Sequence, residues 1–429
     1  MSIQKFKDIL RKAYADIDPQ AIGIIKKLKD NKFDGYLVGG GVRDLLVGLK
    51  PKDFDIATNA LPSEVKRKVP YSFIIGRRFK LVHAKRGEKI FEVATYRREA
   101  TQDELNSVDS DPAVSMTADN FFGNLKEDSF RRDFTVNALF YDPLSEDLVD
   151  YCGGLDDIDS RTLRVIGDAH VRLKEDPIRI LRAIRLSQKL SFKIETELRK
   201  SILENIEELK KTVLPRRREE WLKFFRLYNP ELALWEMHDL GVFKAVIPGF
   251  EALFTDSAKV EEFLSLLRRL QVVDINTHDP IELFGAVLYA FLIAEYGYNF
   301  NINEVSEKNS FQIFCKDELG VFKAELIAIE LSMQFIHALT KHDQYLKKGE
   351  RRKRALLANH HFDLALKLGL MSGELTAQDF VFWMREKEEV LYRPRSERHY
   401  EHDTEDLTEE SVEQTPPVKT ISNKINEPL

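Results

Sequence analysis

"YLVGGGVRDLLVGLKPKDFDIATN", residues 36–59, sets a short apolar run, three consecutive glycines and the carboxylates Asp53 and Asp55 close together in the chain. The run "YLV" reads as a strand and "VRDLLVG" as a helix, so Gly39 to Gly41 form a strand-to-helix turn. Glycines at such a turn let backbone N–H groups approach a phosphate, Gly39 and Gly40 first, and Arg43 adds a cationic fork. Read singly, the turn also fits a plain connection in which Arg43 pairs with Asp44. Asp53 and Asp55 are two residues apart, which on a strand puts both carboxylates on one face, roughly 6.5 to 7 Å apart along the chain. Such a pair can hold divalent metal. Two Mg²⁺ ions about 3.5 to 4 Å apart suit phosphoryl transfer, one lowering the pKa of an attacking hydroxyl and the other neutralising charge on a leaving pyrophosphate. A lone Asp-x-Asp is as readily a solvated edge; a phosphate turn a dozen residues upstream makes the combination specific. Glu92, in "FEVATYR", is the candidate third carboxylate.

Working outward, "FKLVHAK" from Phe79 and "KIFEVATYR" from Lys89 are further β-type runs, joined by "RGEK", which predicts an antiparallel hairpin. The stretch 99–117 is polar and irregular and predicts a mobile surface loop. After Leu163 the pattern turns helical, with "PIRILRAIRLSQKL" and "VEEFLSLLRRLQ" showing apolar residues at helical intervals. The opening "MSIQKFKDILRKAYADIDPQ" reads as an amphipathic helix rather than a signal peptide. From Tyr392 onward there is almost nothing to bury, which predicts disorder.

At 429 residues and 43% hydrophobic composition the chain can bury a substantial core. No run approaches the roughly 18 apolar residues of a membrane span, so no membrane association and a cytoplasmic location are expected. Cys152 and Cys315 lie far apart without metal-ligand spacing, which argues against a disulfide framework or a zinc site. The formal net charge of -6 disfavours a polyanion partner until it is mapped: residues 401–429 hold eight acids and two lysines, leaving the remainder neutral. Within that remainder basic residues cluster at "GRRFK" from Gly76, "RRD" from Arg131, "PRRR" from Pro215 and "KKGERRKR" from Lys347, a distribution compatible with a track for nucleic acid.

Four motifs in order, "LVGGGVRDLL", "DFDIAT", "RRDFTVNAL" from Arg131 and "EDPIRILRAIR" from Glu175, resemble the class II tRNA nucleotidyltransferase and bacterial poly(A) polymerase family over residues 30 to 250. The resemblance implies an α+β architecture: an N-terminal nucleotidyltransferase palm, or head, of small mixed sheet and helices over 1–160, followed by an all-α neck (161–250), body and tail (251–391), with the acidic tail over 392–429. It implies metal at Asp53 and Asp55, and Arg131, Arg132 and Asp133 positioning the ribose and phosphates of an incoming nucleotide. In "EDPIRILRAIR", Pro177 suits a first helical turn, and Asp176, Arg179 and Arg182, spaced by three, fall along one face. A carboxylate beside a guanidinium offers an acceptor next to donors. Adenine and cytosine present an amino donor beside a ring-nitrogen acceptor, and guanine and uracil present the reverse, so Asp176 with Arg179 can accept A or C without a template.

That reader admits both ATP and CTP. "IIGRRFKLVHAK", residues 74–85, resembles the stretch that marks bacterial poly(A) polymerases, with Arg77, Arg78, Phe79 and His83 at the marker positions. The expected activity is therefore addition of AMP from ATP to RNA 3′ ends, with CCA addition to tRNA as the nearest alternative and a non-catalytic RNA-binding module as an alternative of another class. Arg77, Arg78, Arg216, Lys347, Lys348, Arg351 and Arg352 are the candidate RNA contacts. The acidic tail departs from the basic tails of some members of the polymerase branch and is expected to repel RNA or to contact a basic protein.

Overall fold

Strand β1, Tyr36–Val38, turns through Gly39 into the Gly40–Leu46 helix, as the glycine run predicts. Gly39 stands at φ +67°, a conformation that side chain-bearing residues rarely adopt. Gly41 answers a different need. A Cβ there would come within 3.1 Å of the Asp53 carbonyl oxygen and 3.3 Å of the Phe54 ring, so its bare backbone lets the helix lie against the segment that carries the carboxylates. The structure, a computed structural model, describes residues 3–76, 81–99 and 121–392. Arg77, Arg78, most of the expected loop over 99–117 and the acidic tail lie outside the described residues.

Strand β2, Asp55–Thr58, pairs antiparallel with β1, Val38 opposite Asp55. It begins two residues later than the sequence suggests: Asp53 and Phe54 form its irregular approach, where the chain passes Gly41. Strands β3 (Ser72–Ile75), β4 (Leu81–Arg86), β5 (Lys89–Thr95), β6 (Leu139–Asp142) and β7 (Asp147–Asp150) complete a seven-stranded sheet of order β3-β4-β5-β2-β1-β6-β7. Neighbours are antiparallel except β2 and β5, which run parallel with Ile56 beside Val93. The β4–β5 hairpin closes at Gly87 with Arg86 opposite Lys89, as "RGEK" predicts. Val82, Ala84, Phe91 and Val93 are buried on one side of this hairpin, while His83, Lys85, Ile90 and Glu92 alternate to the other. Val38, Ala57, Tyr96 and Phe140 form a buried cluster in the middle of the sheet.

Beyond the head the chain is helical. Ala169–Glu175 leads into Ile178–Leu190, followed by Thr196–Asn205 and Leu214–Phe225. A two-stranded parallel pair, Thr162–Leu163 with Lys193–Ile194, ties the end of the head to this helical run. In Ile178–Leu190 the apolar side chains Ile178, Leu181, Ile184 and Leu186 are buried, and the arginines fall on the less buried stripe. The expected helix in "VEEFLSLLRRLQ" is Ser257–Leu267. Pro280–Tyr296 is buried from Leu283 to Ile293, and Phe250 packs its ring against Phe243, Phe263, Phe291 and Phe314. Cys152 and Cys315 are free, and burial pushes the Cys152 thiol up to about 11. No helix among the described residues is long and apolar enough to cross a membrane.

The chain divides into two compact units, Met1–Gln334 and Phe335–Leu429. Within the second, Trp383 is buried among Tyr345, Phe362 and Phe382 and donates its indole N–H to the Leu339 carbonyl at 2.9 Å.

Candidate active site

Gly39, Asp55 and Arg132 meet. The position a Cβ on Gly39 would take lies 3.5 Å from Arg132 Nη1 and 3.9 Å from Asp55 Oδ2, which brings the glycine turn, the Asp-x-Asp pair and the "RRD" segment to one place. Asp55 is exposed to solvent, at the start of a strand whose next three residues are buried. Burial, then the charges of Glu92 and Asp53, push its carboxyl up to about 6, with Arg132 opposing them. Glu92 stands beside Asp55 one step before the Ile56–Val93 pair. Its side chain is half exposed and lies 3.6 Å from His83 Nε2. Among the described residues no group of three His, Cys, Asp or Glu side chains is drawn into a ready-made metal cage, so Glu92 does not close one with Asp53 and Asp55 here. The pair nonetheless fits Mg²⁺: this ion takes one or two carboxylates and completes its shell with water and substrate phosphates, and the surplus negative charge that raises the Asp55 carboxyl is what a cation would relieve.

The "RRD" segment follows the Leu125–Phe130 helix, and its arginines fold back onto that helix. Asp128, almost wholly buried, accepts from Arg131 Nε at 2.9 Å, from Arg132 Nη2 at 2.8 Å and from the Arg97 N–H at 3.0 Å. Burial works against the Asp128 carboxylate, but Arg132, Arg131 and the Arg97 N–H outweigh it and hold its pKa below the usual range. Arg132 also stacks 4.9 Å over the Phe140 ring, which fixes its plane above the sheet. Asp133 turns the other way. It accepts from the Phe134 N–H at 2.8 Å and from Asn137 at 3.0 Å, and pairs with Arg182 Nη2 at 2.6 Å. Burial again opposes the charge, and Arg182 leads the groups that hold the Asp133 carboxyl down. Arg182 thus links the Ile178–Leu190 helix directly to the "RRD" segment of the head.

Two expected side chains are placed otherwise. Arg43 is not a free fork for phosphate: it is buried, donates from Nε and Nη2 to Asp44 Oδ1 at 3.0 and 2.6 Å, and from Nη1 to Asn137 at 2.5 Å. Lys189 Nζ, 2.7 Å from the other Asp44 oxygen, completes this network. With three of its five N–H groups taken and its side chain buried, Arg43 brings positive charge beneath Gly40, whose Cβ position is 3.4 Å from Arg43 Nη2. Nor is Asp176 paired with Arg179. Arg216 grips Asp176 with both Nη atoms at 2.9 Å, so the residue expected on RNA holds the residue expected to read the base. Arg179 donates to the Arg172 carbonyl at 2.6 Å and lies 3.4 Å from Glu175. Burial, then the charge of Arg172, lowers the Arg179 guanidinium pKa.

Spacing along the chain does not single out Asp128, Asn137, Lys189 or Arg172, which the fold brings to the site. Arg172 is buried and donates from Nη2 to the carbonyls of Arg131 and Arg132 at 2.9 and 3.0 Å, and from Nη1 to Glu175 at 2.9 Å, clasping the "RRD" backbone from the helical side. The signal available was "VRLKED", where Arg172 precedes Glu175 by a helical turn; nothing local says that it reaches back 40 residues. In the second unit, Lys347, Arg351 and Arg352 are exposed and Lys348 half-buried, on and just before the Glu350–Leu357 helix.

Residues 35–164 match the Poly A polymerase head domain, and residues 191–254 match the "Probable RNA and SrmB- binding site of polymerase A". The chain belongs to the class II nucleotidyltransferase family. It is 35% identical over 292 residues to poly(A) polymerase I of Haemophilus influenzae, covering 66% of this chain and 64% of that one. Poly(A) polymerase I of Salmonella typhi is 34% identical over 278 residues, 64% of this chain and 60% of its own. The match therefore spans less than two thirds of these curated relatives. A CCA-adding enzyme of Lactobacillus helveticus is 36% identical over 208 residues, 48% of this chain and 50% of that one. Among solved structures, the Bacillus stearothermophilus CCA-adding enzyme in complex with CTP superposes with a TM-score of 0.61 at 23% identity, over 86% of this chain and 82% of that one. At that identity the likeness is one of fold: a mixed N-terminal sheet with helices, then a mostly helical C-terminal region, as expected.

Proposed function

We propose that the protein is a template-independent polynucleotide adenylyltransferase that adds AMP from ATP to RNA 3′ ends and releases pyrophosphate. The observation that carries this reading is the meeting of Gly39, Asp55 and Arg132 at one point of the sheet, joined through Asp133 and Arg182 to the helix that follows Asp176. Asp53 and Asp55 would hold Mg²⁺, which when bound lowers the pKa of an attacking hydroxyl and neutralises charge on a departing pyrophosphate. The backbone N–H groups at Gly39 and Gly40 donate to triphosphate oxygens, and Arg132, fixed by Asp128 and Phe140, adds positive charge beside them. Asp133 and Arg131 shape the ribose and phosphate pocket. The RNA 3′ oxygen bonds to the α-phosphorus, the bond from that phosphorus to the β-phosphate bridge breaks, and the hydroxyl proton leaves to solvent. Asp176 accepts from the adenine amino group while Arg179 donates to its ring nitrogen; Arg216 keeps the Asp176 carboxylate in plane and leaves its outer lone pairs for the base. The head is assigned to 1–160, the base-reading neck to 161–250 and the helical body and tail to 251–391.

The marker stretch over residues 74–85 and the longer match to poly(A) polymerases favour ATP alone as donor. CCA addition is the second reading, favoured by the Lactobacillus relative and by a base reader that suits cytosine equally. RNA-dependent pyrophosphate release separates the proposals from a binding module. We expect release with ATP, in proportion to AMP incorporated, and little with GTP or UTP. Release that needs CTP and a tRNA lacking its 3′ end would favour the second reading, and no release on any RNA would refute both.

A further inference from the structure

Asp55 divides the head sheet into two flanks. Toward β1 and β6 lie Gly39, Arg132 and Asp133, the groups assigned above to the triphosphate and nucleotide. Toward the other edge run β5, β4 and β3. In an in-line displacement the attacking oxygen and the leaving group stand on opposite sides of phosphorus. On the reading of the site given above, the RNA end must therefore arrive over β5, β4 and β3.

That flank does not look like an ordinary solvent face. Register sets Asp55, Glu92, His83 and Phe73 in one row across β2, β5, β4 and β3, about 14 Å from first to last at about 4.8 Å per strand. At the end of the row the Phe73 ring is 57% exposed; Ile75, two residues on and on the same face, is 45% exposed, and Ile90 is 57% exposed. Lys85, opposite Ile90 in the register, is exposed among them. A sheet edge that shows such residues to water is a liability for a chain with no use for it. Single-stranded nucleic acid uses this combination: a ring stacks on a base of any identity, and an ammonium group follows the backbone.

We propose that the open face of β3, β4 and β5, centred on Phe73, is the platform on which the RNA 3′ segment stacks while its terminal hydroxyl reaches Asp55. The occupant is the last few nucleotides of the RNA, not the incoming nucleotide. Stacking there is indifferent to base identity, as an enzyme that must begin on RNA ends of varied sequence requires.

The test uses the full chain with Phe73→Ala, Phe73→Tyr and Phe73→Trp. Phe73 is exposed on an edge strand, so the alanine variant is expected to fold, and a thermal melt checks this. Fluorescence anisotropy with a labelled unstructured RNA reads the platform whether or not the protein turns over. Phe73→Ala is expected to weaken RNA binding and raise the KM for RNA about tenfold, with the KM for ATP unchanged, and tyrosine or tryptophan is expected to restore both. Unchanged RNA affinity in the alanine variant overturns the platform. Loss of an oligomer in place of RNA affinity also overturns it, by making the edge a contact between copies of the chain. If the wild-type protein extends no RNA while its affinity still depends on Phe73, the platform stands and the proposed activity fails.

Discussion

The two flanks of Asp55 are built on opposite plans. Toward β1 and β6, cationic side chains are anchored: Arg43 by Asp44 and Asn137, Arg131 and Arg132 by Asp128, and Arg182 by Asp133. Toward β3, Phe73, Ile75 and Ile90 lie open to solvent. A triphosphate has one shape and must be gripped in one geometry each cycle, so donors fixed in advance stabilise its developing charge without reorganising. On the proposed function a growing RNA end moves on after each addition, and the proposed stacking surface, tolerant of any base and any register, would let it.

The most severe way to break this contrast is Asp55→Asn. Removing a carboxylate proposed to hold Mg²⁺ is expected to reduce nucleotide incorporation about a thousandfold, from the several kcal/mol of charge stabilisation at stake, with RNA affinity by anisotropy unchanged. Equal loss of RNA affinity would mean that the flanks are not separable, and unchanged incorporation would remove Asp55 from the proposed metal site. Asp176→Ala is expected to reduce the kcat/KM preference for ATP over GTP and UTP by about tenfold to a hundredfold, the span of one bidentate base contact. Single-turnover incorporation of each triphosphate measures it.

Asp128→Asn probes the anchoring itself. It leaves two arginines short of a charged partner in a buried setting and is expected to cost about 2 kcal/mol in denaturant unfolding. The pH dependence sharpens the same point. Burial opposes the charges of Asp128, of Asp133 and of Glu220, which accepts from Arg185 Nε at 2.6 Å and from Lys223 at 3.0 Å, yet their cationic partners hold all three folded-state pKa values below ordinary. Each therefore contributes fully above its unfolded value, near about 4, and loses that contribution as pH falls from there towards the folded value. Wild-type stability should fall on acidification below pH about 4, and Asp128→Asn should flatten part of that limb. The smallest effect is expected in the second unit: Ala at Lys347, Lys348, Arg351 and Arg352 should reduce the salt slope of single-stranded RNA binding by up to about 3. No change would exclude that surface from the RNA path.

Local chemistry made much of the head legible. Gly39 must be glycine because of its φ, the β4–β5 turn announces itself, and the apolar spacing of Ile178–Leu190 gives its helix. Strands β6 and β7 went unread because "LFYDPLSEDLVD" is short and interrupted by Pro143, and its pairing to β1 spans a hundred residues. The site was legible in its residues and less so in their partners. Arg43 looks like a phosphate fork until Asn137, 94 residues away, takes one of its N–H groups. Asp176 looks like the partner of Arg179, a helical turn away, until Arg216 arrives from the Leu214–Phe225 helix. Guanidinium–carboxylate pairing is decided by which donors the fold brings within 3 Å, and spacing along the chain predicts only the neighbours on one helix.

The most direct test of the central claim is primer extension with purified protein, Mg²⁺ and a labelled unstructured RNA, giving each triphosphate alone and then ATP with CTP. The account predicts a long ladder with ATP alone. Extension confined to a tRNA lacking its 3′ end, requiring CTP and stopping after a few nucleotides, would contradict it.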